Sequence, residues 1–125
     1  MTDLDLLGAA QYILLTTFRR DGRAVATPVW AAKDGTTLVV WTVADSGKVK
    51  RIRNSGKVTV APCNFRGTPS GDAVPAEAVL LPAEEGAQAK KVIAGKYGIM
   101  GRLSMIGSRI RRGPNGSVCI RIALT

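Results

Sequence analysis

Apolar positions along the chain fall into short β-forming runs separated by polar turns, and helical spacing replaces them in three places. Gln11 to Phe18, Arg23 to Ala32 and Thr37 to Val43 are such runs, divided by the Asp-Gly pairs Asp21-Gly22 and Asp34-Gly35. Asp-Gly between two strands marks a tight hairpin, because glycine accepts the positive φ the turn requires. The first three strands are therefore expected as an antiparallel meander. Lys57 to Phe65 and Asp72 to Leu81 supply a fourth and a fifth strand, and Ser117 to Leu124 the last. Pro62 and Pro75 lack an N–H for the ladder, which predicts open edges on the fourth and fifth strands.

Thr2 to Ala10 allows a short helix capped by Thr2 or Asp3, with Leu4, Leu7 and Ala10 on one side. Ser46 to Arg53 reads as a short basic helix: Asp45 or Ser46 caps it, Val49 and Ile52 face inward, and Asn54-Ser55-Gly56 stops it. From Glu84 onward Ala89, Val92, Ile93 and Tyr97 recur at three- and four-residue spacing, and Gly95, Gly98, Gly101 and Gly107 predict a kink or a division. Gly113-Pro114-Asn115-Gly116 is a turn before the final strand. The order is β-β-β-α-β-β-α-β. At 125 residues the expectation is a single domain, 1–125, mainly β, with a six-stranded antiparallel sheet closed into a small barrel.

Charge changes the picture. Residues 1–85 hold ten Lys/Arg and nine Asp/Glu, whereas residues 86–125 hold eight Lys/Arg and no acid, so nearly all of the +9 net charge lies in the last third. Such asymmetry suggests a polyanionic partner. A nucleic acid is disfavoured, because single-strand binders interleave aromatics with cations, and Tyr97 is the one aromatic in the basic third. The absence of histidine excludes Ser-His-Asp and Cys-His nucleophile systems and histidine-containing metal sites. Cys63 and Cys119 have no metal-ligand neighbourhood and read as small buried hydrophobes of a reduced compartment. No run approaches the roughly 18 apolar residues of a membrane span, and the expectation is a cytoplasmic protein.

The basic helix holds the sharpest chemical hint. Lys48 would sit in its first turn, where free N–H groups already carry partial positive charge, and that placement is unfavourable unless an anion binds there. A solvated basic face explains the same cations without a ligand.

Thr27-Pro28-Val29-Trp30, Val40-Trp41-Thr42-Val43 and Ser46-Gly47-Lys48, taken in order with the two Asp-Gly hairpins, resemble the pyridoxamine-phosphate-oxidase-like split β-barrel, and most its branch of small flavin- or deazaflavin-dependent oxidoreductases from actinobacteria. The resemblance runs from about Gln11 to the C-terminus. It implies that Thr27, Pro28, Val29 and Trp30 follow the edge of a flavin or deazaflavin ring, with Trp41 and Thr42 beside it. Ser46 and Lys48 match the serine and lysine of a Ser-Arg-Lys phosphate motif, and Gly47 stands where that motif has arginine. Lys50 and Arg51 are candidates to compensate, and Arg66 to assist. The structural alternative for both tryptophans is ordinary packing.

The resemblance further implies a homodimer with the cofactor at its interface and a small-molecule substrate. Between coenzyme F420 and FMN, the basic final third favours F420, whose tail is polyanionic; Arg66, Lys96, Arg102, Arg109, Arg111 and Arg112 are candidates for holding it. The expected activity is hydride transfer from reduced F420 to an unsaturated acceptor, with an FMN-dependent enzyme or a non-catalytic F420 carrier as alternatives. Pyridoxal-phosphate synthesis is not expected, because the family's C-terminal Arg-x-His arrangement has no counterpart in Ile122-Ala123-Leu124-Thr125. No acid or base stands out; Tyr97, Lys96 and Arg66 are conceivable donors.

Overall fold

Both Asp-Gly pairs turn the chain as their sequence predicts: in the computed structural model Gly22 has φ 88° and Gly35 φ 62°. The structure describes residues 2–44, 46–112 and 117–125, with side chains described up to residue 98 and again from residue 117. The expected cap Asp45, the turn 113–116 and the side chains of Arg102, Arg109, Arg111 and Arg112 lie outside the described residues.

The elements are α1 (Asp3–Ala9), β1 (Tyr12–Phe18), β2 (Ala24–Val29), β3 (Ala31–Asp34), β4 (Thr37–Val43), α2 (Gly47–Asn54), β5 (Lys57–Cys63), β6 (Val74–Leu80), α3 (Ala83–Arg112) and β7 (Ser117–Leu124). The sheet is antiparallel, in the order β2-β1-β5-β6-β7-β4-β3. The described residues thus form seven strands where the sequence led us to expect six. The expected second strand breaks at Trp30; its first half pairs with β1, from Ile13 opposite Val29 to Phe18 opposite Ala24, and its second half pairs with β4, from Ala31 opposite Val40 to Asp34 opposite Thr37. One run of chain therefore forms both ends of the sheet. The curl needed to bring those ends together is what splits the strand, and the split barrel itself is as expected.

The two strand prolines correct a further expectation. β5 and β6 are interior strands, not open edges. Pro62 faces Ile13 of β1, but the β5–β6 ladder covers only Lys57 to Val60 on its side. Pro75 faces Thr59 of β5, while the β6–β7 ladder begins at Ala76. Each proline stands just past the end of one ladder, where its missing N–H costs no hydrogen bond.

Alternation along the strands builds two apolar layers. Ile13, Leu15, Val29, Leu38, Val40, Val58, Val60, Ile120 and Ile122 fill the interior of the curl, joined by Ile52 from α2. The opposite parity on β3, β4 and β7 presents Ala32, Val39 and Cys119 outward, and Ala89 and Ile93 of α3 cover them. Cys63 and Cys119 are both buried and free. Thr2 caps α1 by accepting from the Asp5 N–H at 3.1 Å, and α3 changes direction at Gly98, whose φ of 61° and ψ of −138° leave the helical region. Of the four glycines expected to interrupt that helix, this one does so.

The interior layer predicts an asymmetric response to truncation. Ile120→Ala, at a side chain with no solvent exposure, is expected to cost about 2–5 kcal/mol in urea unfolding. Val79→Ala, on the exposed face of β6 at 56% exposure, should stay within about 0.5 kcal/mol.

Candidate functional site

Where the broken strand turns from β2 to β3, side chains of three strands, Trp30 at the break and the start of α2 enclose a cleft of about 340 Å³. Its lining is Tyr12, Pro28, Val29, Trp30, Trp41, Thr42, Val43 and Lys48. Six of the twelve residues expected around the ring and its phosphate meet here: Pro28, Val29, Trp30, Trp41, Thr42 and Lys48. Thr27 precedes them on β2, and Ser46, Gly47 and Arg51 surround Lys48 at the head of α2. Lys50 points to solvent, and Arg66 lies exposed in a turn with its guanidinium 5.3 Å from the Phe65 ring.

Tyr12 and Val43 line the cleft without having been picked out. Tyr12 lies one residue before the Ile13–Val29 pair, so the register carries it toward Trp30. The alternation of β1, with Ile13, Leu15 and Thr17 buried and Tyr12, Leu14 and Thr16 half-buried, is the sequence signal that could have assigned it to the outer face.

The break at Trp30 is held by α3. The Trp30 indole stacks on the Tyr97 ring, with centroids 4.4 Å apart and planes inclined by 7°. The Tyr97 hydroxyl donates to the Gln11 carbonyl at 2.7 Å and accepts from the Ala31 N–H at 3.0 Å. Beside it the Lys96 ammonium donates to the carbonyls of Ala10 at 2.6 Å and Ala31 at 2.5 Å. These bonds satisfy backbone groups of Ala31, at the strand break, and of the segment that leads into β1. Lys96 and Tyr97, conceived from the sequence as an anion ligand and a proton donor, are thus engaged with backbone. Burial lowers the Lys96 pKa to about 8 and raises that of Tyr97 to about 12.

At the other end of the cleft, α2 begins at Gly47, with Ser46 in the N-cap position. The Ser46 side chain makes no capping bond, and its buried hydroxyl has no hydrogen-bond partner among the described residues. The Trp41 indole N–H is likewise buried and unpartnered. Buried polar groups are ordinarily paired, so these two donors have capacity to spare for a further partner or an ordered water. Lys48 is partly buried, and its pKa is lowered by that burial first and by the nearby Arg51 guanidinium second. Neither cation takes part in the ion pairs found among the described residues, which are Arg23–Asp21, Lys33–Asp5 and Arg121–Asp34. Two cations, an unpartnered hydroxyl and the free N–H groups of a helix start form a donor set suited to a phosphate. The cleft is within the size range of small-ligand sites.

A model of the family described as pyridoxamine 5'-phosphate oxidase matches residues 4–120. The chain belongs to this family. No curated protein matches it by sequence. Among solved structures, an F420 reductase superposes with a TM-score of 0.64 at 19% identity, over 100% of this chain and 95% of that one. A conserved hypothetical protein of Mycobacterium tuberculosis gives 0.70 at 16% identity, over 99% and 81%. The heme storage protein of Vibrio cholerae gives 0.70 at 10% identity, over 92% and 82%. At these identities the likeness is one of fold, and the fold carries both coenzyme and heme proteins.

The Lys96 latch makes a prediction about pH. Its folded pKa of about 8 lies below the ordinary 10.5, so between these values the unfolded chain holds the additional proton and stability gains from rising pH. Tyr97 and Cys119, whose pKa values are raised to about 12 and about 11, act in the opposite sense above their ordinary values of 10.0 and 9.0. The difference in unfolding free energy between the wild type and Lys96→Met, measured by urea titration from pH 7.5 to 10, should therefore move in favour of the wild type as pH rises.

Proposed function

We propose that this protein is an F420-dependent reductase acting on an unsaturated small molecule. The observation that carries the reading is the polarity of the cleft: two tryptophans at one end, and at the other Lys48 beside a Ser46 hydroxyl that has no partner among the described residues, at a helix start. A flat chromophore linked to a phosphate has this same polarity.

In this reading Pro28, Val29 and Trp30 form the wall against which the ring lies, and the Trp41 N–H supplies a donor to its polar edge. Thr42 closes the floor. Lys48, with Ser46 and the α2 N–H groups, neutralises the phosphate. The bound coenzyme supplies the hydride chemistry; the chain's part is to orient it and to keep water from the ring with apolar walls. The family likeness and the F420 reductase neighbour support the assignment, and so does the basic final third. Residues from a second copy would complete the open side of the cleft, so the functional unit in this proposal is a homodimer in the cytoplasm. FMN, with its own ring and phosphate, suits the cleft by the same donor set and is the second reading.

Calorimetric titration with F420 and with FMN separates the readings. F420 should bind, and Lys48→Ala should weaken it roughly tenfold or more through loss of a charge-assisted contact. Binding of FMN without F420 would transfer the assignment to FMN, and binding of neither would overturn both. Oxidation of bound reduced coenzyme by a panel of enones distinguishes an enzyme from a carrier, since a carrier leaves it reduced.

A further inference from the structure

Gly47 is a residue that neither the backbone nor the helix requires. Its φ is negative, because the glycines with positive φ among the described residues are 22, 35, 67 and 98, and within a helix glycine is less favourable than alanine. What it provides is space. A Cβ at position 47 would lie 2.8 Å from Nη1 of Arg51. The guanidinium of Arg51, one helical turn onward, therefore folds back over the first residue of α2.

A second contact fixes it there. Nε of Arg51 donates to Oγ1 of Thr17 at 2.6 Å. Thr17 is the last inward-facing residue of β1, has no solvent exposure, and is held in turn by donation from its own hydroxyl to the Val25 carbonyl at 3.5 Å. With Nε engaged, the two terminal nitrogens of the fork stay over the helix start, close enough to Lys48 to depress its pKa. An arginine held by a buried neutral hydroxyl keeps its full charge, and a planar fork so anchored loses little entropy when it takes up an oxyanion.

We propose that Thr17 and Gly47 are positioning residues that aim Arg51, together with Lys48, as a two-cation clamp on a phosphate at the head of α2. The clamp places its arginine four residues later than a Ser-Arg-Lys order would, and the glycine is the vacancy that relocation needs. Position 47 then sets specificity: side chains larger than glycine displace the guanidinium and leave a one-cation site. The inference rests on the function proposed above for the identity of the ligand, but its geometry concerns any phosphate.

The test therefore has two parts. Inorganic phosphate is titrated into the wild type, Thr17→Val, Thr17→Ser and Gly47→Ala while the Arg51 Nε–H and Lys48 Nζ resonances are followed by NMR. Phosphate should shift both resonances in the wild type and Thr17→Ser. In Thr17→Val and Gly47→Ala the Arg51 response should be lost and the Lys48 response kept. Gly47→Ala should also raise the thermal midpoint or leave it unchanged, since alanine favours the helix; loss of phosphate response in a variant of undiminished stability is what a merely structural glycine would not give. In parallel, the ratio of Kd for riboflavin to that for FMN, and for dephosphorylated deazaflavin to that for F420, should fall roughly tenfold in Thr17→Val and recover in Thr17→Ser. Equal loss of the phosphorylated and dephosphorylated ligands, or an Arg51 resonance that ignores phosphate in the wild type, overturns the clamp. If the wild type binds neither coenzyme, the proposed function fails while the phosphate titration still decides the clamp.

Discussion

The break of one strand at Trp30 is the constraint on which the rest of this structure depends. A seven-stranded sheet that begins with β2 and ends with β3 must bring its two ends together within a single residue, because β2 and β3 are consecutive in the chain. A break in a strand leaves backbone N–H and C=O groups that no ladder can pair, and unpaired buried groups are costly. The Tyr97 hydroxyl and the Lys96 ammonium meet that need at Ala31, and tie the break to the carbonyls of Ala10 and Gln11 just before β1, from a single turn of α3. The cleft lies at the break, lined by the end of β2, Trp30 and the end of β4. Closure of the barrel and creation of the cleft are one event.

The two ends of the cleft use opposite means of holding a shape. The aromatic end is over-determined, with Trp30 stacked, Tyr97 bonded on both sides and the backbone satisfied. The basic end is left incomplete, with a buried hydroxyl lacking a partner and two cations sharing a neighbourhood without a carboxylate among the described residues. Mutual repulsion of Lys48 and Arg51 is tolerated because Thr17 holds one of them from beneath. Stability invested in the wall offsets what the unsatisfied groups of the basic end cost.

The features legible in the sequence are those decided by neighbours in sequence. Asp-Gly hairpins and the Val49–Ile52 spacing each act within a few residues, and each stands in the structure as read. Lys48 was legible for the same reason, as a charge in conflict with its own helix. The strand break was not, because Arg23 to Ala32 is a continuous β-former run and the residue that stabilises its interruption lies 66 positions beyond Ala31. Tyr12 belongs to the cleft through register, and register is a property of two strands. Arg51 folds back because Thr17, 34 residues earlier, receives it. The prolines misled in the same way: each was judged by its strand, whereas what matters is where the neighbouring ladder stops.

The stacking of Trp30 on Tyr97 has an optical consequence. The chain contains two tryptophans, and both line the same cleft. All indole emission therefore originates at the cleft wall, part of it from a ring in van der Waals contact with a phenol and part from a ring whose N–H awaits an acceptor. The excitation energy of these two rings would pass at contact range to any deazaflavin or flavin lying there, quenching their emission. The protein thus carries its own reporter of occupancy, readable without a label.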